Sequence, residues 1–259
     1  MIRRTVKSAS RTLEVLELFA EQRRPMRLHE IYTALDYPQS SATNLLKSLV
    51  VTGYVNYNRA TRTYLPTMRV GALGSWLPGY IYADDGYRWL VEEMQRRTDE
   101  TVALNTQNDL FVQYVWLKAP EHEFKMVPAA GTMRLLVDSA AGLALMSEMK
   151  DNEIDKICRY SNYYQLAEGR RFDAAPLMSD IRWARQTGYV IMANKPHPEV
   201  SAIAMPLAEK IHGIPLAIGV GGLADRISRA QYDIIATMRA CIAEFRAHRE
   251  DHHYAVAAE

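Results

Sequence analysis

Residues 8–69 constrain the fold most, because they show the periodicity of three short helices followed by a hairpin. Apolar residues at helical spacing predict a first helix over residues 8–22. Pro25 separates it from the next helix, since proline has a fixed φ and no amide hydrogen. The predicted inward stripe of this first helix is Leu13, Val15, Leu16, Phe19 and Ala20.

The next segment predicts two further helices joined by a tight turn. A short second helix includes Leu28, Ile31, Tyr32 and Leu35, and residues 36–38 (Asp-Tyr-Pro) form the turn. The third helix is predicted over residues 39–52, with an apolar side at 45, 46, 49 and 50 and an end at Gly53. Its outward side chains are short and polar, so they can read base edges in the major groove of DNA. They are Gln39, Ser40, Ser41, Thr43, Asn44 and Lys47.

A β-hairpin is predicted after the third helix. Residues 54–57 and 62–65 read as strands on either side of the polar turn 58–61. Arg59 and Arg62 stand at the tip of this hairpin, where their guanidinium groups suit contact with phosphates. Three helices followed by such a hairpin predict a winged helix-turn-helix that binds DNA.

The charge distribution favours the same interpretation. Residues 1–80 contain 11 Lys and Arg against 5 Asp and Glu, a net charge of +6, whereas the whole chain carries +1 and the remainder therefore −5. A basic module on an acidic remainder is typical of contact with nucleic acid. The alternative for the third helix is the edge of a plain helical bundle with a solvated polar face.

These elements resemble the IclR family of bacterial transcription regulators. The resemblance rests on Ser-Arg-Thr-Leu at 10–13, Pro-Gln-Ser-Ser at 38–41, Leu-Leu-Lys-Ser-Leu at 45–49 and Gly-Tyr-Val at 53–55. It continues to about residue 245 through looser matches at 131–132, 139–145, 187–190 and 200–206. It implies that Ser10, Arg11 and Thr12 contact the DNA backbone together with the wing arginines.

The resemblance also implies how such a protein works. Family members bind palindromic operators as dimers or dimers of dimers, and a small molecule in a GAF/PAS-like carboxy-terminal domain changes operator occupancy or promoter activity. Repression is the more common mode, and activation is the alternative. This chain departs from many relatives, because Thr43-Asn44 stands where they carry His-Arg. Asn44 suits adenine rather than guanine.

Length and composition agree with two cytoplasmic domains. The 259 residues are 48% hydrophobic, without an 18-residue apolar run or an apolar segment after the basic start. We expect no membrane association, and we expect Cys158 and Cys241 to be reduced thiols. The predicted boundaries are a DNA-binding domain at 1–67, a linker helix at 68–82 and an effector-binding and oligomerisation domain at 83–259.

The remainder predicts an antiparallel sheet flanked by helices, so that the fold class is α+β. The linker helix is expected to run from 68 to 77. Expected helices in the second domain span 84–98, 139–149, 151–159, 176–187 and 228–248. Expected strands span 101–107, 110–117, 124–127, 189–193, 201–207 and 214–221, with a loop at 128–138.

By resemblance, the effector pocket lies between this sheet and the loop that precedes the helix starting near Ser139. Its implied lining is Met126, Arg134, Ala140, Ala141, Met192, Val200 and Ala202. Relatives often have an acidic residue near the position of Met192, a cysteine near that of Ala202 and an apolar residue at that of Arg134. We therefore expect the effector to be an organic acid with an apolar body, such as an aromatic acid.

Arg134 and the free N–H groups of the helix start would hold the carboxylate of this effector. The alternative is that Arg134 points to solvent and that Met126 and Met192 fill the core. Relatives usually have glycine at the position of Glu199, so the loop before Val200 is expected to take a different course.

Enzyme, metal and cofactor sites are not expected. Cys158 has no nearby histidine, and Ser139 lies outside any Gly-x-Ser-x-Gly motif. His197 and His212 stand alone, and the glycines at 219, 221 and 222 lack the spacing of a phosphate loop. An enzyme with a GAF-like fold and a protein-interaction module remain the alternatives to a DNA-binding regulator.

Overall fold

The computed structural model describes residues 6–77, 86–122, 132–166, 171–195, 197–211 and 213–256. The chain divides into two compact units, residues 3–83 and residues 84–259. Within the described ranges, no helix combines the length and the apolar character that crossing a membrane requires.

The described part of the amino-terminal unit, residues 6–77, contains four helices and a small antiparallel sheet in the order β1-β3-β2. The elements are α1 (Lys7–Gln22), β1 (Met26–Arg27), α2 (Leu28–Ala34), α3 (Gln39–Val51), β2 (Val55–Asn58), β3 (Thr63–Pro66) and α4 (Met68–Gly74). The three helices and the hairpin are thus present, with the wing strands one residue later than predicted. The two-residue β1 was not predicted, and α4 ends at Gly74 rather than at residue 77.

The buried face of α1 differs in part from the predicted one. Val15, Leu18 and Phe19 are buried against Ile31, Leu46, Leu49 and Val55 of the following elements. Leu13, by contrast, is 60% exposed, and Ala20 is also exposed. Successive helix residues are about 100° apart, so Leu13 lies about 200° from Val15 and points away from the core.

A set of side-chain contacts fastens the start of α4 to the end of α3. Gly53 turns the chain after α3 with φ 79°, a conformation that favours glycine. Thr67 donates from its hydroxyl to the Gly53 carbonyl at 2.7 Å and caps α4 by accepting from the Arg69 N–H at 3.3 Å. Arg69 donates to the Thr52 carbonyl at 2.7 Å, and its guanidinium lies 4.7 Å from the centre of the Tyr54 ring.

Six described strands form the sheet on which the carboxy-terminal unit is built. Its strands are β4 (Thr101–Asn108), β5 (Phe111–Lys118), β6 (Met133–Leu135), β7 (Val190–Met192), β8 (Val200–Ile211) and β9 (Ile214–Leu223). Its helices are α5 (Gly86–Thr98), α6 (Ala140–Ser147), α7 (Asp151–Tyr160), α8 (Ala174–Thr187), α9 (Ala224–Arg229) and α10 (Gln231–Val256).

The sheet is antiparallel throughout, in the order β6-β5-β4-β9-β8-β7, and the α+β fold class is confirmed. The short strand β6 lies in the segment predicted as a loop, and the predicted final helix is divided at Ala230 into α9 and α10. The predicted strand at 124–127 lies outside the described residues.

Alternation along β4 separates the two faces of the sheet. Val102 and Leu104 face the layer of α5 and α10, whereas Ala103 and Asn105 face the layer that contains α6. All eight residues of α6 are buried, because this helix lies between the sheet and α8. Cys158 and Cys241 are free and buried, and burial raises the pKa of both thiols, which disfavours the reactive thiolate.

The close approach of α6 to the preceding turn depends on Gly142. A Cβ atom at this position would lie 2.1 Å from the carbonyl oxygen of Leu136. Leu136 is itself fully buried in the 3₁₀ turn Leu136–Asp138 that leads into α6. The turn and the helix therefore fit together only if residue 142 has no side chain.

Gly142→Ala should destabilise the carboxy-terminal unit by about 3 kcal/mol, because overpacking forces the backbone apart. Urea denaturation followed by circular dichroism would measure this change in the free energy of unfolding. Gly219→Ala is the matched control, since its Cβ would lie 3.6 Å or more from its neighbours. Equal stability of the two variants would contradict the proposed packing.

Candidate functional site

Helix α3 exposes a polar surface. Gln39, Ser40, Asn44 and Lys47 are exposed, whereas Thr43 is half-buried and donates from its hydroxyl to the Gln39 carbonyl at 2.8 Å. Pro38 precedes the helix, and its carbonyl accepts from the next turn. Because the Thr43 hydrogen is used within the helix, its oxygen can only accept from a ligand.

Arg11 connects α1 to the start of α3. Its guanidinium donates to the Ser41 hydroxyl at 2.6 Å and lies 4.6 Å from the centre of the Tyr37 ring. The Tyr37 hydroxyl in turn donates to the carboxylate of Glu14. The sequence predicted that Arg11 contacts the DNA backbone. In the free protein its side chain instead binds Ser41 and packs on Tyr37, which holds the start of α3 against α1.

The other two residues of the predicted α1 cluster lie beside Arg11. Ser10 and Thr12 are half-buried. The Thr12 hydroxyl donates to the Ser8 carbonyl at 2.8 Å. As at Thr43, the hydroxyl hydrogen is already used within the helix, so the Thr12 oxygen can accept a hydrogen bond but the hydroxyl has no hydrogen left to donate to a phosphate.

The wing presents two exposed arginines on an ordered turn. The Asn58 side chain accepts from the N–H groups of Ala60 and Thr61 at 2.9 and 3.2 Å, which closes an Asx turn. Arg59 and Arg62 are exposed on either side of these residues, and Arg62 has a left-handed φ of 56°. This geometry places two cations at the end of the hairpin.

The carboxy-terminal unit contains a partly open cavity of about 340 Å³ between its sheet and the start of α6. Small residues form the floor in two rows across β4, β9 and β8. One row is Ala103, Gly219 and Ala204, and the other is Thr101, Gly221 and Ala202. The cavity exists because these side chains leave the space above the sheet unfilled.

Charged groups stand around this cavity. Arg134 on β6 is half-buried, and it has no ion-pair partner among the described residues. Lys195, which precedes β8, forms a salt bridge of 3.2 Å with Asp138, and His197 follows it in the lining. Among the described lining residues, two cations against one carboxylate leave an excess positive charge, which favours an anionic ligand.

The start of α6 adds hydrogen-bond donors. The Ser139 hydroxyl caps the helix by accepting from the Gly142 N–H at 3.1 Å. The N–H groups of Ala140 and Ala141, both in the cavity lining, have no partner within the helix because they belong to its first turn. Together with the helix dipole they suit a carboxylate.

Six of the seven predicted lining residues are brought together at this cavity: Arg134, Ala140, Ala141, Met192, Val200 and Ala202. The seventh, Met126, lies outside the described residues. Val200 is placed by a turn in which its N–H donates to the His197 carbonyl at 3.0 Å. Arg134 lines the cavity, and Met192 both lines it and packs against the core.

Sequence reasoning missed several lining residues. Asn105, Tyr114, Asp138 and Lys195 also contact the cavity. A signal existed in β4, where small or polar residues at 101, 103 and 105 alternate with large apolar residues at 102 and 104. Lys195 carried no such signal, because its position depends on the course of a loop.

A helical unit with an exposed polar third helix and a cationic wing defines a DNA-binding module, and its presence in one chain with a cavity-bearing unit is typical of transcription regulators. The family model for the IclR helix-turn-helix domain matches residues 8–59. The model for the bacterial transcriptional regulator IclR C-terminal domain matches residues 86–245. The chain therefore belongs to the IclR family of DNA-binding transcription regulators, and it is not an enzyme.

Individual proteins show the same similarity along most of the chain. The transcriptional regulator XynR of Escherichia coli K12 is 22% identical over 87% of this chain and 90% of its own length. The regulator BhcR of Paracoccus denitrificans is 23% identical over 87% of this chain and 81% of its own length.

Solved structures show the same fold. A transcriptional regulator of Rhodococcus sp. RHA1 aligns with a TM-score of 0.68 and 20% identity, covering 93% of this chain and 97% of that one. The effector domain of an IclR regulator from Acinetobacter sp. ADP1 aligns with a TM-score of 0.60 and 27% identity, covering 65% of this chain and 98% of that domain.

The contact between Arg11 and Tyr37 should contribute to the stability of the amino-terminal unit. A double-mutant cycle with Arg11→Ala and Tyr37→Leu should give a coupling energy of about 0.5–1 kcal/mol, the size of a partly exposed cation–π contact. Thermal unfolding of the four proteins would measure it. Strictly additive effects would show that the two side chains do not interact.

Proposed function

We propose that this regulator is a repressor that binds palindromic operator DNA in the cytoplasm and responds to a small organic acid with an apolar, for example aromatic, body. The cavity beside α6 carries the effector part of the proposal. It combines apolar walls with an arginine that has no ion-pair partner among the described residues and with N–H groups of the first helical turn that have no partner within the helix. Activation of transcription by the same contacts is the alternative mode.

Helix α3 would enter the major groove. Ser40, Asn44 and Lys47 are spaced at i, i+4 and i+7 and therefore lie along one exposed face of the helix. Gln39, Ser41 and Thr43 flank this face. An asparagine can donate to and accept from adenine in a bidentate manner, so Asn44 is the proposed sequence-reading side chain.

Contacts to the DNA backbone would come from both ends of the unit. Arg59 and Arg62 on the wing and Ser10 and Arg11 on α1 are the proposed phosphate ligands. Thr12 would join them by releasing the Ser8 carbonyl, to which its hydroxyl donates in the free protein. We propose that Arg11 has two roles, since its guanidinium has five donors and only one is used on Ser41.

Palindromic operators require at least two copies of the DNA-binding unit, so we propose a homodimer or a dimer of dimers. The spacing of two recognition helices must match the spacing of two half-sites. An effector that binds one quaternary arrangement more tightly than another would then change the affinity for the operator. Operator DNA would change the affinity for the effector by the same factor, because the coupling free energy between two sites is reciprocal.

The effector carboxylate would lie between Arg134 and the first turn of α6. Its apolar body would contact Met192, Val200 and the alanines of the floor. The excess positive charge of the lining and the small floor both support this orientation. Lys195 would close the open side of the cavity while it remains paired with Asp138.

Asn44→Ala should reduce base discrimination at one operator position by about 1–3 kcal/mol, whereas Arg62→Ala should weaken binding to all sequences alike and flatten the salt dependence. Fluorescence anisotropy with an operator library at two salt concentrations would separate the two effects. Uniform weakening by Asn44→Ala would refute its base-reading role.

Arg134→Ala should weaken the binding of an organic acid by about 10- to 100-fold, the range expected for a charged hydrogen bond. Isothermal titration calorimetry with a panel of aromatic and aliphatic acids would measure the change. Arg182→Ala removes the same charge at an exposed position on α8 and should leave binding unaltered. Unaltered affinity in the Arg134 variant for every acid that binds would exclude this role.

A further inference from the structure

The sheet of the amino-terminal unit places a further arginine beside the wing. Arg27 lies on β1, and the strand register sets it directly opposite Thr63, which in turn lies opposite Asn58. Thr63 and Asn58 are the strand residues next to the wing turn, so Arg27 stands at the end of the sheet that carries Arg59 and Arg62. At the usual strand spacing, this row of three residues extends roughly 10 Å across the sheet.

Arg27 projects from the outer face of this sheet. Its neighbour Met26 is 2% exposed and packs in the core, and successive strand residues point to opposite faces. The side chain of Arg27 is exposed, as are those of Arg59 and Arg62. The outer face of the sheet thus adds a cation to the two at the wing tip.

The carboxylate of Glu30, on the first turn of α2, is already occupied. One of its oxygens pairs with Arg24 at 2.7 Å, and the other accepts from the Arg27 backbone N–H at 2.7 Å. The bond from the Arg27 N–H and the guanidinium of Arg24 hold the pKa of Glu30 below its ordinary value. The Arg27 guanidinium has no ion-pair partner among the described residues, so its charge is available to a ligand.

Arg27 is an unfavourable residue for the fold at this position. It is the N-cap of α2, where Ser, Thr, Asp or Asn would accept a hydrogen bond from the first turn. An arginine side chain has only donors and cannot accept such a bond, and its charge opposes the helix dipole. A residue that breaks a local rule without stabilising the fold is typical of a functional position.

We infer that Arg27 binds the DNA backbone, so that the contact of the wing with phosphates continues across the outer face of the sheet to β1. The inference rests on the proposed binding of phosphates by Arg59 and Arg62. Duplex DNA fits this arrangement, because it carries a negative charge about every 1.7 Å along its axis and can meet cations at the wing tip and roughly 10 Å away. An arginine can also bind one phosphate through two parallel hydrogen bonds.

The salt dependence of DNA binding tests the inference with the full-length protein. The probe is a duplex of about 30 base pairs with arbitrary sequence, because phosphate contacts do not depend on the bases. Arg27→Ala should reduce the slope of log K against log salt concentration by about 0.9 for each chain on the duplex. Binding should weaken about 5- to 10-fold at about 0.1 M salt, whereas Arg27→Lys retains the charge and should keep the slope.

Arg27→Ser separates a DNA contact from a structural role. Serine supplies the missing cap, so the amino-terminal unit should unfold at a higher temperature, while DNA binding should weaken as it does in Arg27→Ala. Circular dichroism melting curves and fluorescence anisotropy titrations would measure the two effects. If the stabilised serine variant bound DNA as tightly as the unmodified protein, the inference would be wrong.

Two control variants distinguish failure of the inference from failure of the proposed wing contacts. Arg62→Ala should also reduce the slope, whereas Arg182→Ala, at an exposed position on α8, should leave it unchanged. A reduced slope for the Arg62 variant with an unchanged slope for the Arg27 variant would overturn the inference and leave the wing contacts intact. Unchanged slopes for both would refute the wing contacts and the inference with them. An equal reduction in all three variants would reflect net charge alone and would also overturn the inference.

Discussion

The packing of α6 onto the turn before it is the contact on which the carboxy-terminal unit depends. Gly142 lets the helix approach the Leu136 carbonyl to a distance that no side chain permits. That approach brings the first turn of α6 over the sheet, and the Ser139 cap holds it there. The cavity, its helix N–H groups and the position of Asp138 all follow from this one close contact.

The floor of the cavity shows a second use of small residues. A sheet covered by a fully buried helix would normally fill the interface with large apolar side chains. Here two rows of alanine, glycine and threonine cross three inner strands, β4, β9 and β8, and the space above them remains open. An unfilled cavity lacks van der Waals contacts and therefore destabilises the fold, so its presence here is consistent with a ligand-binding site.

The sequence predicted the types of most elements because their periodicity is strong. The buried faces of α3 and β4 repeat with the spacing of a helix and a strand, and Gly53 and Gly188 mark helix ends that the structure places at φ 79° and 77°. The predicted face of α1 was right for Val15, Leu16 and Phe19 and wrong for Leu13 and Ala20, which are exposed. Six lining residues came from family resemblance rather than from pattern. Asn105 belongs to an alternating pattern in β4 that sequence reasoning did not use, whereas Lys195 became apparent only when the position of its loop was known.

The contacts of Arg69 and Thr67 have a mechanical consequence. Most helix junctions bend easily because a few backbone torsions absorb the change in direction. Between α3 and α4 that freedom is removed, since the first turn of α4 is bonded to the carbonyls of Thr52 and Gly53 and covers the Tyr54 ring. The first turn of α4 is thus tied to the end of α3, so that a change in the direction of α4 would have to break these bonds or move the end of α3 with it.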